Sequence, residues 1–389
     1  MKKFLFVLVT LSLSKGVQKG FSQNNLRNYF QQEVDYTIQV KLDDEKNMLR
    51  ATESMVYINN SPDTLKFIWF HLWANAYKNN NTAFAKQKLE NGATDFYFST
   101  EEERGFIDSL DFKVNDESVK LEYDANNIDI ARIWLNKPLA PHEQITITTP
   151  FRVKIPKTFS RMGRDGQQYQ ISQWYPKPAV YDRYGWHPIP YLDQGEFYSE
   201  YGVLDVFITL PKNYVMDATG ELMSDDEKKF LAVKEASSRK YLSLEMSEAQ
   251  KEIAENDSFS MKFPVSDYEM KTLHFHAEDV HDFAWFADKR YMIVRDVVTL
   301  ESGKKVATTV LFTSNHTNVW RNSVQFVDSA IYYYSKWIGD YPYPHATAVD
   351  GALTAGGGME YPMITVIGKT GNAATLDEVI AHEVGHNWF

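Results

Sequence analysis

The last fifteen residues, Thr375-Leu-Asp-Glu-Val-Ile-Ala-His-Glu-Val-Gly-His-Asn-Trp-Phe389, carry the strongest structural signal in the sequence. Thr375 and Glu378 form a capping box, which predicts that a helix begins here. On that helix His382 and His386 are four residues apart, so both imidazoles face the same side about one turn apart. Two neutral imidazoles at this separation can occupy two corners of a tetrahedral zinc site.

Glu383 is the natural proton acceptor for such a site. It follows His382 directly and precedes His386 by three residues, near enough to reach a metal-bound water without binding the metal. A carboxylate in this position can act as general base, because the metal lowers the pKa of its water toward neutrality. A polar helix face with two hydrogen-bonded histidines is the alternative interpretation. The apolar neighbours Val379 and Ile380 favour a half-buried helix and weaken that alternative.

A glycine-rich segment lies upstream, Ala355-Gly-Gly-Gly-Met-Glu-Tyr-Pro-Met-Ile-Thr-Val-Ile-Gly368. Gly357 and Gly358 have no Cβ, so another chain can approach their backbone closely. The strand that follows can offer an edge to an extended peptide. Glu360 at this edge could hold the free α-ammonium group of a substrate by a charge-assisted hydrogen bond. A flexible turn with a surface glutamate is the alternative.

Taken together, Gly357-Gly-Met-Glu-Tyr361 and His382-Glu-x-x-His386 resemble the signatures of the aminopeptidase N family of gluzincin zinc peptidases. Those signatures are Gly-x-Met-Glu-Asn and His-Glu-x-x-His, in the same order and at a similarly short spacing. The resemblance implies a zinc metallopeptidase that releases N-terminal residues from peptides. It also implies one Zn²⁺ held by His382 and His386, with Glu383 as the general base.

The resemblance further implies a set of substrate-binding residues. Glu360 would anchor the free amine of a peptide, and Gly357 and Gly358 would line the peptide-binding edge. Gln173 lies in a segment, Ser172 to Asp182, that looks like a divergent form of the family's Thr-Gln segment, in which a glutamine lines the N-terminal pocket. Tyr361 stands where the family has asparagine.

In the family a third zinc ligand, a glutamate, follows the second histidine at some distance, and a catalytic tyrosine comes later still. The sequence has only three residues after His386. Because catalytic zinc needs three protein ligands and a water, we expect these 389 residues to be a fragment that is inactive as it stands.

Composition excludes several other classes of function. The chain has 41 basic and 52 acidic side chains, a formal charge of −11, and no block of lysine and arginine. Nucleic acid is therefore not an expected partner, because phosphate binding needs a basic footprint. Cysteine is absent, which removes disulfides, cysteine-ligated zinc and thiol catalysis.

The first 22 residues read as a signal peptide. Lys2 and Lys3 precede an apolar run from Phe4 to Leu13, too short to span a bilayer but typical of a signal core, and cleavage would fall before Gln23. A buried N-terminal strand is the alternative. No later segment is apolar enough to span a membrane. We therefore expect export to the periplasm or the extracellular space, with the mature chain soluble or peripheral to a membrane.

Residues 23–295 are rich in strand patterns. Polar and apolar residues alternate in Asp35–Leu42, Glu143–Thr149 and Tyr201–Leu210. These patterns predict a large antiparallel saddle or sandwich. After a boundary near residue 296, helical spacing over Asn318–Ile338 predicts a long helix. The predicted fold class is α+β, and the resemblance implies that residues 296–389 begin a thermolysin-like α/β catalytic domain.

Three further segments carry weaker hypotheses. Residues 224–257 are charged and are expected to leave the sheet as a solvated helix or irregular excursion. Aromatic residues in 173–176 and 184–191 allow a rival function, an exported carbohydrate-binding or adhesion module, although core packing explains them more simply. His274 and His276 alternate in a strand pattern and are expected to be structural or surface residues rather than a second metal site.

Overall fold

The structure, a computed structural model, describes residues 29–244, 248, 260–354 and 356–388. The signal peptide predicted for residues 1–22 lies outside the described residues, as does most of the second charged stretch near residue 250. The strands are β1 (Glu33–Asp43), β2 (Met48–Ile58), β3 (Leu65–His71), β4 (Phe106–Asp108), β5 (Lys113–Val114), β6 (Glu117–Ser118), β7 (Lys120–Tyr123), β8 (Ile130–Leu139), β9 (Gln144–Lys154), β10 (Gly163–Asp165), β11 (Gln168–Ile171), β12 (Lys177–Pro178), β13 (Tyr181–Asp182), β14 (Gly185–Trp186), β15 (Gly202–Pro211), β16 (Val215–Ala218), β17 (Glu221–Leu222), β18 (Met270–Val280), β19 (Trp285–Asp288), β20 (Met292–Thr299), β21 (Lys305–Phe312), β22 (His345–Asp350), β23 (Gly358–Tyr361) and β24 (Ile364–Ile367).

Helices are fewer than strands in this part of the chain. They are α1 (Ala83–Glu90), α2 (Asp225–Ser243), α3 (Thr317–Trp320), α4 (Ser323–Trp337) and α5 (Ala373–Gly385), with short 3₁₀ turns at Trp73–Tyr77, Ser314–His316 and His386–Trp388.

The largest sheet has nine strands and is built around β1, β2, β9, β15 and β18. Along β1 and β2 every second side chain is buried, as the alternation in the sequence predicts. The predicted antiparallel pairing holds for most strands of this sheet, but the sheet is mixed, because β1 pairs with β15 in parallel while its other neighbour, β2, is antiparallel. About 160 residues separate the two parallel strands along the chain, and sequence patterns local to each strand carry no information about that pairing.

Two four-stranded sheets, β10-β11-β19-β16 and β12-β3-β8-β7, pack with the largest sheet around one apolar core. Trp174 and Tyr191 are fully buried in that core, whereas Tyr184 is 76% exposed. Packing therefore accounts for most of the aromatic side chains that suggested a carbohydrate-binding surface, as the simpler explanation predicts.

A five-stranded sheet in the order β20-β21-β22-β24-β23 begins at Met292, close to the predicted boundary. Its three central strands β21, β22 and β24 are parallel, and β23 forms one edge. Helices α4 and α5 cover one face of this sheet through buried side chains such as Val327, Ile331, Leu376 and Ile380. This sheet and its helices carry both sequence motifs.

Two helix predictions need correction. The helix expected over Asn318–Ile338 is divided at residues 321–322, where Ser323 Oγ donates to the Trp320 carbonyl and α4 starts afresh. Helix α5 begins two residues before the predicted Thr375. Its N-cap is Asn372, whose side-chain oxygen accepts from the Thr375 amide at 3.0 Å, so Thr375 occupies the third helical position instead of the cap.

The charged segment after residue 224 forms helix α2, but the helix is not wholly solvated. Glu227 is buried and accepts hydrogen bonds from the Lys271 ammonium group at 2.6 and 2.8 Å, which ties the helix to strand β18. Leu231 and Tyr241 are also buried. This face of the helix therefore contributes to the core.

Candidate metal centre and peptide edge

Helix α5 presents the two motif histidines to solvent on one face. The ring centroids of His382 and His386 are 5.0 Å apart with nearly perpendicular planes, and both side chains are exposed. The opposite face of the helix is anchored in the core by Leu376, Ile380 and Val384. The predicted arrangement of two imidazoles on one face is present, and the buried stripe fixes its orientation.

The end of this helix is held by two side chains that follow His386. Asn387 Oδ1 accepts from the Met363 amide at 3.1 Å, which joins the helix end to the turn before β24. Trp388 Nε1 donates to the Gly339 carbonyl at 2.8 Å, and its ring packs near Tyr341. His386 is therefore held between two anchored segments.

Strand β23 brings Glu360 to the same place. One donor atom from each of Glu360, Glu383 and His386 lies within 4.8 Å of the others, the only such group among the described residues. His382 lines the same cleft but is not part of that group. The structure therefore brings the two motifs together, although 22 residues separate Glu360 from His382.

Gly358 is the residue that allows this close approach. A Cβ atom on Gly358 would lie 2.5 Å from the side chain of Glu383, a distance that real Cβ atoms do not show. A Cβ on Gly357 would lie 3.6 Å from Val379, an ordinary contact. Of the two glycines in the predicted peptide edge, only Gly358 must lack a side chain, because Glu383 occupies the space that a Cβ atom would need.

Glu383 is 5% exposed, and burial raises the pKa of its carboxyl to about 8. The charges of Glu360 and Glu196 add to that shift. Glu196 lies at the rim of the same cleft. Its pKa is also raised, mainly by partial desolvation and to a smaller extent by the charge of Glu360. Three carboxyl groups thus share a small volume in which their mutual repulsion is costly.

The chemistry of these donors fits a divalent cation. Two exposed imidazoles and a cluster of carboxylates are the ligand types that zinc accepts, and a cation would offset the repulsion among the acids. The sequence contains both histidines in the motif, but the acids come from three separate elements: Glu383 from the helix, Glu360 from the edge strand and Glu196 from the segment between β14 and β15.

The cleft around this group has a volume of about 420 Å³. Arg161 forms part of its wall and is 5% exposed. Its guanidinium donates to the carbonyls of Leu192, Asp193 and Gly195 at 2.8 to 3.2 Å, and Nε contacts the Met359 sulfur at 3.0 Å. Arg161 thereby fastens the segment that carries Glu196 to the edge strand.

Sequence analysis missed both Glu196 and Arg161. Neither residue belongs to a spaced motif, and each lies in an irregular segment whose path depends on tertiary contacts. The only local signal is Gly195, which has a positive φ of 150° directly before Glu196. That signal indicates a turn, but it does not indicate which side chain the turn presents.

Gln173 is 2% exposed and bonded within the protein. Its amide nitrogen donates to Asp282 at 3.2 Å, and its oxygen accepts from the Tyr361 hydroxyl at 3.4 Å. The residue supports the edge strand from behind through Tyr361. Its predicted role in lining the substrate pocket stays a prediction.

His274 and His276 lie on strand β18, on the large sheet. His274 Nε2 is 2.7 Å and His276 Nδ1 is 3.0 Å from one oxygen of Asp205. These contacts agree with the surface role expected for the two histidines. In the region that the structure describes, no helix combines the length and apolarity needed to cross a bilayer.

Comparison with solved structures finds this architecture in an M1 zinc metallopeptidase from Deinococcus radiodurans. That structure matches with a TM-score of 0.52 and 12% identity over 93% of this chain and 64% of the other. The chain has the fold of the M1 zinc metallopeptidases. A mutant form of that enzyme matches with a TM-score of 0.52 and 13% sequence identity. A mutant bound to a Tyr-Ser-Ala substrate matches with a TM-score of 0.51 and 12% identity, and both matches cover 93% of this chain and 65% of the other.

At this identity the likeness to the M1 metallopeptidases shows the fold alone. No protein-family model and no curated protein matches the sequence. The chain spans about two thirds of the length of the M1 structures, at 64 or 65% of those chains. The activity, substrates and partners of the whole protein are therefore proposals.

Proposed function

We propose that the protein is a zinc-dependent aminopeptidase that removes N-terminal residues from peptides. The observation that supports this best is the meeting of Glu360, Glu383 and His386 within 4.8 Å, where an edge strand faces the helix that carries both histidines. An edge strand can bind the peptide backbone, and the helix supplies the reacting groups. The proposal is also supported by the fold, which this chain shares with solved M1 zinc metallopeptidases.

In this proposal one Zn²⁺ is held by His382 and His386. When bound, zinc supplies an activated water and polarises the carbonyl of the scissile bond. The two imidazoles are exposed on one face of α5, so the metal can enter from the cleft.

Glu383 serves as the general base. Its side chain is buried beneath Gly358, and burial raises the pKa of its carboxyl to about 8 before a cation is added. A nearby cation would lower that pKa again and leave a carboxylate able to take a proton from water. Because Glu383 lies on helix α5, the helix determines the position of the carboxylate that would accept this proton.

Glu360 binds the free amine of the substrate, and Gly357 and Gly358 contact the peptide backbone. Glu360 lies on the edge strand with its carboxyl beside the other acids. An ammonium group entering this cluster would neutralise part of its negative charge, which favours a free N-terminus over a blocked one. Gln173 supports this strand from behind.

The test uses the gene product that contains this chain, with aminoacyl chromogenic substrates. Glu383→Gln should reduce kcat by about 10²- to 10⁴-fold, because it removes the general base. Asp377→Asn is the matched control, since Asp377 is an exposed acid on the same helix. A chelator should abolish activity, and added zinc should restore it. Full activity of Glu383→Gln would refute the mechanism.

An endopeptidase with the same metal centre is distinguished by a second comparison. An N-acetylated peptide lacks the ammonium group that Glu360 is proposed to bind. We expect the acetylated peptide to be cleaved at least 100-fold more slowly than the free peptide, and Glu360→Gln to remove most of that difference. Equal cleavage of both peptides would indicate an endopeptidase.

We also propose that the protein is exported, acting in the periplasm or outside the cell on peptides with a free N-terminus, without nucleic acid as a partner. The basic start and short apolar core of residues 1–22 support export. N-terminal sequencing of the protein recovered from its native compartment should begin at Gln23. Recovery of the uncleaved N-terminus from the cytoplasm would contradict this.

A further inference from the structure

A second, smaller cavity adjoins the metal cleft on the other side of Glu360 and His386. Its volume is about 180 Å³, and both residues line the two cavities in common. Four aromatic side chains form much of its remaining wall. The nature of this wall bears on which N-terminal residue the site accepts. These four residues are Tyr201, Tyr343, Tyr361 and Trp388.

The polar atoms of three of these aromatic residues are already bonded to the protein. The Tyr343 hydroxyl donates to the Asp279 carbonyl at 3.1 Å, and Trp388 Nε1 donates to the Gly339 carbonyl at 2.8 Å. The Tyr361 hydroxyl donates to a side-chain oxygen behind the strand. What these residues offer a ligand is therefore their rings and not their hydrogen-bonding groups.

The direction of the edge strand places the N-terminal side chain of a substrate in this cavity. Strand β23 runs from Gly358 to Tyr361, and a peptide pairing with it antiparallel would have its amino end near Tyr361. With the amine at Glu360, the first side chain extends toward the small cavity. The rest of the peptide then runs past Gly358 into the larger cleft.

The charged groups on the wall favour a cation. Among the residues that the structure describes, no lysine or arginine lines the small cavity, whereas Glu360 does, together with His281 and His386. Aromatic rings attract an ammonium or guanidinium group through their negative faces. An acidic side chain would face Glu360, and an aliphatic one would gain only burial.

We propose that this cavity selects peptides whose N-terminal residue is lysine or arginine, with the cationic end of that side chain held by the aromatic rings while Glu360 binds the α-ammonium group. The inference rests on the proposed aminopeptidase function and names its substrate class. The first test compares lysyl with norleucyl and arginyl with citrullyl aminoacyl-methylcoumarin substrates. Each pair matches the side chain closely in length while one member lacks the charge.

We expect kcat/KM of the gene product to be about tenfold higher for the charged member of each pair, in line with the usual strength of a partly desolvated cation–π contact. Equal or faster hydrolysis of the norleucyl substrate would overturn the inference, and so would a preference for phenylalanyl over lysyl substrate. Failure to hydrolyse any aminoacyl substrate would instead refute the proposed aminopeptidase function.

Variants at the wall provide a second test. Tyr201 is 44% exposed, so Tyr201→Leu should fold, and we expect it to lower the lysyl-to-norleucyl ratio of kcat/KM about threefold or more. Tyr201→Phe keeps the ring and should keep the ratio. Tyr123→Leu, at a 47% exposed tyrosine on β7, is the matched control. An unchanged ratio in Tyr201→Leu and in Tyr343→Leu would overturn the inference.

An inhibition measurement compares the binding of the two side chains without requiring that either compound be hydrolysed. Free L-lysine and L-norleucine are compared as competitive inhibitors of alanyl substrate hydrolysis by the same protein. L-lysine should inhibit at a concentration about tenfold lower than L-norleucine, and Tyr201→Leu should narrow that difference. Equal inhibition by the two amino acids would overturn the proposed selection of lysine and arginine by the small cavity.

Discussion

Gly358→Ala tests the geometry of the candidate site with a single methyl group. The new Cβ would lie 2.5 Å from Cγ and Oε1 of Glu383, whereas ordinary contacts begin at 3.4 Å. The carboxyl group must therefore move by about 1 Å, and a misplacement of that size can cost about 10²-fold in rate. We expect kcat to fall by about that factor, with KM changed by less than threefold.

Gly357→Ala is the control for this substitution. Its Cβ would lie 3.6 Å from the nearest atom, on Val379, and neither Gly357 nor Gly358 has a positive φ, so alanine is compatible with both backbones. Gly357→Ala should retain kcat within about threefold. The two variants therefore differ in one contact, with Glu383, and not in backbone freedom.

The assay measures kcat and KM for an aminoacyl substrate together with urea unfolding of each variant. Overpacking at Gly358 should lower the free energy of unfolding by about 1–3 kcal/mol, which leaves the protein folded at 25 °C if it has ordinary stability. Activity of Gly358→Ala within threefold of the unsubstituted protein would refute the reasoning. Equal losses in both alanine variants would also refute it.

Three further predictions concern stability and metal binding. Burial raises the pKa of Glu200 to about 8, above its unfolded value, so the contribution of Glu200 to the free energy of unfolding should fall by about 1.4 kcal/mol per pH unit between pH 5 and 8. Glu200→Gln should make the pH slope of the free energy of unfolding shallower by about that amount in urea unfolding. Lys177 and Asp282 form a buried ion pair at 2.7 Å, so Lys177→Met should cost about 3–5 kcal/mol in the same assay, and adding Asp282→Leu should recover part of the loss. His382→Ala should lower bound zinc by at least tenfold in elemental analysis, whereas His274→Ala should leave it unchanged; the reverse result would assign the metal to strand β18.

The parts of the fold that sequence predicts are those that depend on local periodicity. The alternation in Asp35–Leu42 and Tyr201–Leu210 corresponds to strands β1 and β15 within one or two residues at each end. The parallel pairing of these two strands could not be predicted from the sequence, because it depends on the long connection between them and not on the residue pattern of either segment.

Helix ends were predicted less well for a related reason. Thr375 and Glu378 satisfy the capping-box pattern, yet Asn372 caps α5, since an asparagine side chain three residues earlier reaches the same amide. When two nearby residues can both cap a helix, the path of the preceding turn determines which of them occupies the N-cap position. Sequence spacing alone cannot decide between them.

The candidate site shows the same division between local and tertiary information. The helix motif positions His382, Glu383 and His386 by spacing alone, because one helical face is a property of the segment itself. Glu196 has no such constraint and reaches the site only through the segment that Arg161 holds in place. A residue placed by tertiary contacts leaves no periodic trace in the sequence.

Arg161 offsets only part of the repulsion among the three acids in the cleft. Its guanidinium is 5% exposed and donates to backbone carbonyls, so its positive charge is not paired with a carboxylate in its immediate contacts. That charge lowers the pKa of Glu196, opposing the effects of desolvation and of Glu360. A single buried cation cannot balance three carboxylates, because each pair of acids also repels. The remaining negative charge would attract both a metal ion and the ammonium group of a substrate to the same cleft. The excess of acidic groups in the cleft therefore favours both proposed binding events.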